Sequence, residues 1–188
     1  MIQKTVLKII FRYCIWWFPI LNLNAQQTDL SITQQIEQCW DTYEKGQVEE
    51  AEAKLNALLQ FAKENKEQTN LASCYHLYGL LKSKQQQHFQ ADSLFKLAIA
   101  IYTPQKHPIQ NAAVLREQSN NFRVYGDFEQ ALIKIQQSIS VLDSLDQKEE
   151  IAKSYTSAGN ILIILRKEQE ALRFLEIIER FLFFSKNN

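Results

Sequence analysis

Glycine and proline are scarce in this chain: its 188 residues include only 4 glycines and 3 prolines. Because these two residues break helices and supply tight turns, their scarcity argues against many short strands and favours long helices. The alternation of apolar and polar residues that marks a half-buried strand is also missing. Hydrophobic residues nevertheless make up 46% of the sequence, which argues against a disordered chain.

The motifs of common enzymes are missing as well. The chain has no glycine-rich phosphate loop and no Gly-x-Ser-x-Gly nucleophile elbow. Its 3 histidines, His76, His88 and His107, do not form a metal-binding motif. Paired acids such as Glu149-Glu150 fall near predicted helix starts, where carboxylates complement the helix dipole. We therefore predict a protein that is not an enzyme, with no catalytic residue, no metal ion and no cofactor.

Acidic residues are absent before Asp29, and the charged residues of that first segment are Lys4, Lys8 and Arg12. The whole chain has 21 basic and 21 acidic residues, so the part that follows this segment is mildly acidic. Such a surface has no electrostatic footprint for nucleic acid, which we exclude as a partner.

An apolar run, residues 13–21, follows this basic start, and Ala25 precedes the polar Gln26 and Gln27. A basic start, a short apolar run and a small residue are the layout of a secretory signal. We predict that residues 1–25 are an export signal, cleaved after Ala25. The run is shorter than the ~20 residues of a membrane-spanning helix. The alternatives are an uncleaved membrane anchor and an apolar first helix of the fold.

The dominant pattern is an internal repeat of 40 residues. An alanine recurs at this interval, with a small residue twelve positions before it and a bulky apolar residue four positions after it. The alanines are Ala51, Ala91, Ala131 and Ala171; the small residues are Cys39, Gly79, Ser119 and Gly159; the bulky residues are Leu55, Phe95, Ile135 and Leu175. This spacing predicts two helices per repeat, in which the small residue faces the alanine and allows the backbones to approach closely.

The other two glycines, Gly46 and Gly126, are 80 residues apart and fall between the two predicted helices of repeats one and three. A glycine can adopt there the left-handed conformation that ends a helix. Gln86 and Arg166 occupy this position in repeats two and four. We expect the turns at these two residues to be looser or different in shape.

These residues resemble the tetratricopeptide repeat, in which an aromatic residue and a small glycine precede Ala-x-x-x-Phe in the second helix. Repeat two carries the pattern best, with Tyr75, Tyr78-Gly79 and Ala91 followed by Phe95. The resemblance covers residues 30–188, in repeats of about 30–70, 71–110, 111–150 and 151–188. Because the family norm is about 34 residues, this chain resembles a long variant. HEAT-type repeats are near this length, but their helix-kinking proline is missing here.

The resemblance implies an all-α fold, a right-handed α-solenoid of four antiparallel helix pairs with about eight helices. It also implies that the first helices line a concave face that binds a protein or peptide partner. The register places these residues on that face: Trp40, Tyr43, His76, Arg116, Asn120, Arg123, Lys153 and Asn160. The basic and amide residues among them are suited to hold an anionic group through charge-assisted hydrogen bonds. The alternative is a solvated polar face.

Two cysteines, Cys39 and Cys74, follow the predicted signal. A pair of cysteines in an exported protein can form a disulfide. However, Cys39 occupies the small-residue column of the repeat, which favours a small buried core residue instead.

The last predicted helix is too apolar to face water on its outer side, although a repeat array needs a polar cap. Its apolar residues include Leu172, Leu175 and residues 181–184. The chain is then a truncated copy, pairs with a second copy as a homo-oligomer, or docks on a membrane or a larger partner. The leading function is an interaction scaffold exported to the cell envelope, in the periplasm if the cell is bacterial. The alternative is the repeat region of an envelope signalling protein, of the histidine kinase or regulator type, without its output module.

Overall fold

The computed structural model describes residues 31–186 apart from Gln105 and Asp146, and it describes side chains as far as Glu179. This part of the chain contains eight helices and no strand. The helices are α1 (Ile32–Glu44), α2 (Val48–Glu64), α3 (Gln68–Lys84), α4 (His88–Tyr102), α5 (Pro108–Tyr125), α6 (Phe128–Leu142), α7 (Lys148–Ile164) and α8 (Glu168–Lys186). None of them is long and apolar enough to cross a membrane. The predicted export signal lies outside the described residues.

The helices form a curved stack of four antiparallel pairs. Each helix packs against the next one along the chain, and the first helices of the pairs (α1, α3, α5 and α7) also contact one another. Within the described part, the second helices (α2, α4, α6 and α8) make no contact with one another. A stack in which one row of helices is closer together curves toward that row, so the first helices line the concave side. The predicted all-α solenoid of four helix pairs is confirmed.

The turns repeat one construction at intervals of 20 residues. A residue with positive φ stands two positions before the next helix in each of six turns: Gly46, Lys66, Gln86, Lys106, Gly126 and Arg166. After α3, the Gln87 N–H donates to the Lys82 carbonyl at 2.8 Å, and the Gln86 N–H donates to the Ser83 carbonyl at 3.0 Å. These two bonds form the Schellman motif, which satisfies the last carbonyls of a helix.

The turns at Gln86 and Arg166 follow this construction, with φ of 61° and 59°. The expectation that they would be looser than the glycine turns is therefore wrong. The left-handed conformation costs a residue with a Cβ about 1–2 kcal/mol. That cost is small compared with the free energy gained by packing the two helices that each turn joins.

The small-residue column brings the two helices of a pair close together in repeats two and three. A Cβ on Gly79 would lie 2.6 Å from the Phe95 ring, and the Ser119 hydroxyl donates to the Ala131 carbonyl at 2.7 Å. All four column alanines are buried. Gly159 departs from the expectation, because no atom lies within 4 Å of the place its Cβ would take. The bulky residue of its repeat, Leu175, is 48% exposed and does not cover the glycine.

Both described cysteines lie in one buried cluster between α1, α2 and α3, together with Leu55 and Leu77. Their thiols are free. Burial raises the pKa of Cys74 to about 12, and the neighbouring Cys39 acts in the same direction. Burial also raises the pKa of Cys39. Since the thiolate is the reactive form, both thiols are chemically quiet at neutral pH. The interpretation of Cys39 as a buried core residue is confirmed.

The N-terminal end of the stack is polar. Helix α3 packs on α2 through Cys74, Leu77 and Leu81. The residues of α1 in the same register, against which no described helix packs, are polar and exposed: Gln34, Glu37 and Asp41.

The C-terminal end of the stack is apolar. Leu172 and Leu175 of α8 are 58% and 48% exposed. The three residues that correspond to Leu175 in the earlier repeats are fully buried: Leu55, Phe95 and Ile135. In those repeats a following helix covers this face, whereas no helix of the described residues covers it on α8.

Candidate functional site

A recess of about 380 Å³ opens on the concave side. All four first helices contribute to it, so that no single repeat contains the site. Its lining consists of Trp40, Ser73, His76, Leu80, Tyr102, Ile109, Gln110, Ala113, Arg116, Glu117 and Glu150.

Aromatic rings form one end of the recess. The Trp40 and His76 rings meet edge to face with centroids 5.1 Å apart, and His76 meets Phe95 in the same way at 6.2 Å. Burial lowers the pKa of His76 to about 3, and the positive charge of Arg116 acts in the same direction. The imidazole is therefore neutral at physiological pH, and its Nε2 has no hydrogen-bond partner among the described residues.

Ion pairs form the other end. The Arg116 Nη1 lies 2.9 Å from the Glu150 Oε2, and its Nε lies 3.8 Å from the Glu117 Oε1. The Lys153 Nζ lies 2.8 Å from a carboxylate oxygen of both Glu149 and Glu150. Burial alone would raise the pKa of Glu150, but hydrogen bonds from Lys153 and Arg116 hold that pKa below its usual value. Arg116 and Lys153 are thus already matched by carboxylates of the chain itself.

Three of the remaining predicted groove residues contact residues of the recess. Tyr43 meets Trp40 with ring centroids 6.4 Å apart, and the Lys84 Nζ lies 4.9 Å from the centroid of the Tyr43 ring. Asn120 donates a hydrogen bond to Glu117 at 3.4 Å. Three of the predicted residues line the recess: Trp40, His76 and Arg116. Three more contact lining residues: Tyr43, Asn120 and Lys153. The other two, Arg123 and Asn160, lie outside the lining.

Sequence reasoning missed the acidic residues of the lining and its α5 aliphatic residues, Ile109 and Ala113. Ile109 and Ala113 precede Arg116 by seven and three residues, so they share its helix face, and the register alone was sufficient to find them. Glu150 is harder to find, because it comes from the next repeat. Among the described residues, no three His, Cys, Asp or Glu side chains come together in a way that would hold a metal ion.

Solved structures of repeat proteins share this fold. BtubC (BKLC) from P. vanneervenii matches with a TM-score of 0.75 at 11% identity, over 95% of this chain and 75% of that chain. The nearly identical TPR-like repeats of a Podosopora anserina protein, described as a putative kinesin light chain, match with a TM-score of 0.64 at 17% identity, over 88% of this chain and 84% of that chain. A second crystal structure of those repeats matches with a TM-score of 0.67 at 17% identity, over 90% of this chain and 85% of that chain. At these identities the likeness shows a TPR-like solenoid fold.

Neither a protein-family model nor a curated protein sequence matches the chain.

Proposed function

We propose that this protein is a non-enzymatic interaction scaffold, a long-repeat variant of the tetratricopeptide solenoid whose concave side binds a protein or peptide. The recess carries this proposal, because helices from all four repeats supply a single lining. Binding sites are typically concave and largely apolar, with a few placed polar groups. Stacked helix pairs present extended concave surfaces of this kind.

The experiment is affinity capture from an extract of the source cells with two matched variants. Ile109 is an exposed residue in the first turn of α5 and lines the recess, whereas Ile133 is an exposed residue of α6, which lies in the outer row of helices. We expect Ile109→Glu to lose partners that the unaltered protein and Ile133→Glu both retain. Partners that all three proteins retain equally would contradict binding at the recess. Circular dichroism confirms that both variants fold.

The uncovered face of α8 supports a second contact, in which two copies of the chain associate. Burying Leu172 and Leu175 in an interface removes apolar surface from water. Sedimentation velocity should show association that depends on concentration, and Leu172→Glu combined with Leu175→Glu should abolish it. A monomer at every concentration would contradict this pairing.

The same face is also consistent with the repeat region of a longer envelope signalling protein, in which a further helix covers α8. A reading frame that continues past Asn188 into a membrane span and a kinase or regulator would favour this alternative. A stop codon directly after Asn188 in the genomic sequence would contradict it.

Export to the envelope is proposed from residues 1–25. The mature protein is then expected in the envelope fraction, in the periplasm of a bacterium, with Gln26 as its first residue. N-terminal sequencing of the purified protein tests this. A chain that keeps residue 1 and stays with the membrane would support the uncleaved anchor instead.

A further inference from the structure

The recess contains more negative than positive charge. Its charged lining residues are Arg116, Glu117 and Glu150. Lys153 joins this cluster through Glu150, but it also contacts Glu149. Within the lining itself one base therefore faces two carboxylates, and the buried His76 adds no positive charge because its pKa is lowered to about 3. Charge complementarity disfavours an anionic ligand here and favours a cationic one.

Glu117 is the carboxylate with free capacity to bind a cation. Glu150 accepts hydrogen bonds of 2.8 Å from Lys153 and 2.9 Å from Arg116. Glu117 has longer contacts, 3.4 Å from the Asn120 amide and 3.8 Å from the Arg116 Nε. Both exceed the usual length of a charge-assisted hydrogen bond, about 2.7–2.9 Å. The Glu117 side chain is 27% exposed, so an incoming ammonium or guanidinium group can reach it.

A nearby pair shows that this corner of the groove suits a cation. Lys84 holds its ammonium group 4.9 Å from the centroid of the Tyr43 ring, and such contacts are attractive because the ring face is electronegative. Burial, followed by the charge of Glu117, raises the pKa of Tyr43, which places that carboxylate near the same ring.

An apolar wall lies beside the carboxylates. Trp40 and Leu80 line the recess on the α1 and α3 side, and Ile109 and Ala113 line it on the α5 side. A ligand that fills this volume therefore needs an apolar group next to its charge.

We propose that the recess binds a partner segment that places an apolar side chain against Trp40 and Ile109 and a lysine or arginine side chain at Glu117. This inference rests on the proposed scaffold function and adds the chemistry of the ligand. It differs from the anionic group and from the solvated polar face that the sequence offered as alternatives.

The test uses a phage-displayed library of random seven-residue peptides selected on the full chain. We expect the enriched peptides to combine an apolar residue with a lysine or arginine. For one such peptide, replacing its basic residue by glutamate should weaken binding by roughly tenfold or more, since a hydrogen bond to a charged group contributes about 1.5–3 kcal/mol.

Variants of the protein assign this preference to one side chain. Glu117→Gln should lower the affinity for the basic peptide by roughly tenfold, which is the contribution of one hydrogen bond to a charged group. Glu117→Lys should reverse the preference toward the glutamate peptide. Glu176→Lys, an exposed position on α8, is the matched control and should leave both affinities unchanged.

An acidic consensus would overturn the inference, and so would basic peptides whose affinity does not change in Glu117→Gln. Partners captured from extract in an Ile109-dependent way, without any enrichment of basic peptides, would leave the scaffold function standing and overturn the ligand chemistry alone. Capture of the same partners by the unaltered protein and by Ile109→Glu would overturn both proposals.

Discussion

Two glycines at equivalent positions of the repeat have different surroundings, and this difference is testable by single substitutions. A methyl group on Gly79 would meet the buried Phe95 ring, whereas a methyl group on Gly159 meets open space. We expect Gly79→Ala to lower the free energy of unfolding by about 1–3 kcal/mol through overpacking. Gly159→Ala should raise it by about 0.5–1 kcal/mol, because alanine favours the helix. Urea unfolding measures both values, and changes of the same sign would contradict the difference in packing.

His76 is expected to make stability depend on pH. Its pKa is about 3 in the folded chain and 6.5 ordinarily, so below pH 6.5 the unfolded state binds a proton that the folded state does not. The contribution of the neutral His76 to the free energy of unfolding is therefore fully present above pH 6.5 and is lost as the pH falls toward 3. The loss should approach about 1.4 kcal/mol per pH unit.

Urea unfolding between pH 7.5 and pH 5 measures this dependence. In His76→Phe the decline should become shallower by the His76 contribution, because phenylalanine does not titrate. Equal slopes for the two proteins would show that His76 is not the group responsible.

The sequence located His76 on the concave face but gave no sign of its burial. The Trp40 ring that packs against it belongs to another repeat, and Phe95 lies on a different helix. Burial of this kind depends on which rotamers meet across three helices. A pattern of single positions does not contain that information.

At the scale of helices and turns, the left-handed residue recurs whether or not it is a glycine. Gln86 adopts φ of 61°, where a Cβ is strained. Gln86→Gly should raise the free energy of unfolding by about 0.5–1 kcal/mol, because relief of that strain exceeds the entropy that glycine loses on folding. Gln90→Gly, in the first turn of α4, is the control and should lower it by a similar amount, about 0.5–1 kcal/mol. Thermal unfolding of the two variants distinguishes these signs, and destabilisation by both would contradict a strained turn.

The sequence predicted the turns unevenly. Gly46 and Gly126 mark two of them by composition, and Pro108 stands at the first position of α5. Lys66 and Lys106 adopt the same conformation without any compositional mark. The sequence analysis did not identify them, since tertiary packing imposes the left-handed conformation on whichever residue occupies the site.

At the scale of the whole molecule, equivalent residues of the first and last repeats are expected to respond differently to a charge. Leu55 is fully buried between α2 and α3, and Leu175 is 48% exposed on α8. Leu55→Glu should cost more than about 4 kcal/mol and prevent stable folding, because it buries an unpaired carboxylate. Leu175→Glu should change the free energy of unfolding of the monomer by less than about 1 kcal/mol. Circular dichroism melting curves at low protein concentration compare the two, and a comparable loss in both would show that α8 is covered.

The fold followed from the sequence, whereas the balance of charge in the recess did not. Forty-residue columns are a property of the whole chain and fix which helices pair. The charge of the recess depends instead on Glu150 of α7 reaching Arg116 of α5. The basic residues, considered column by column, suggested either an anion site or a solvated polar face, and that comparison left out the carboxylates that approach from the neighbouring repeat.

A stack with one polar end and one apolar end can be lengthened in only one direction. A further helix pair placed after α8 would find Leu172 and Leu175 already suited to receive it. The same pair placed before α1 would bury Glu37 and Asp41, and a buried charge is costly unless the added helix supplies its partner. Duplication of a repeat is thus tolerated at the C-terminal end and resisted at the N-terminal end, which gives both evolution and protein engineering a preferred site for building a longer array.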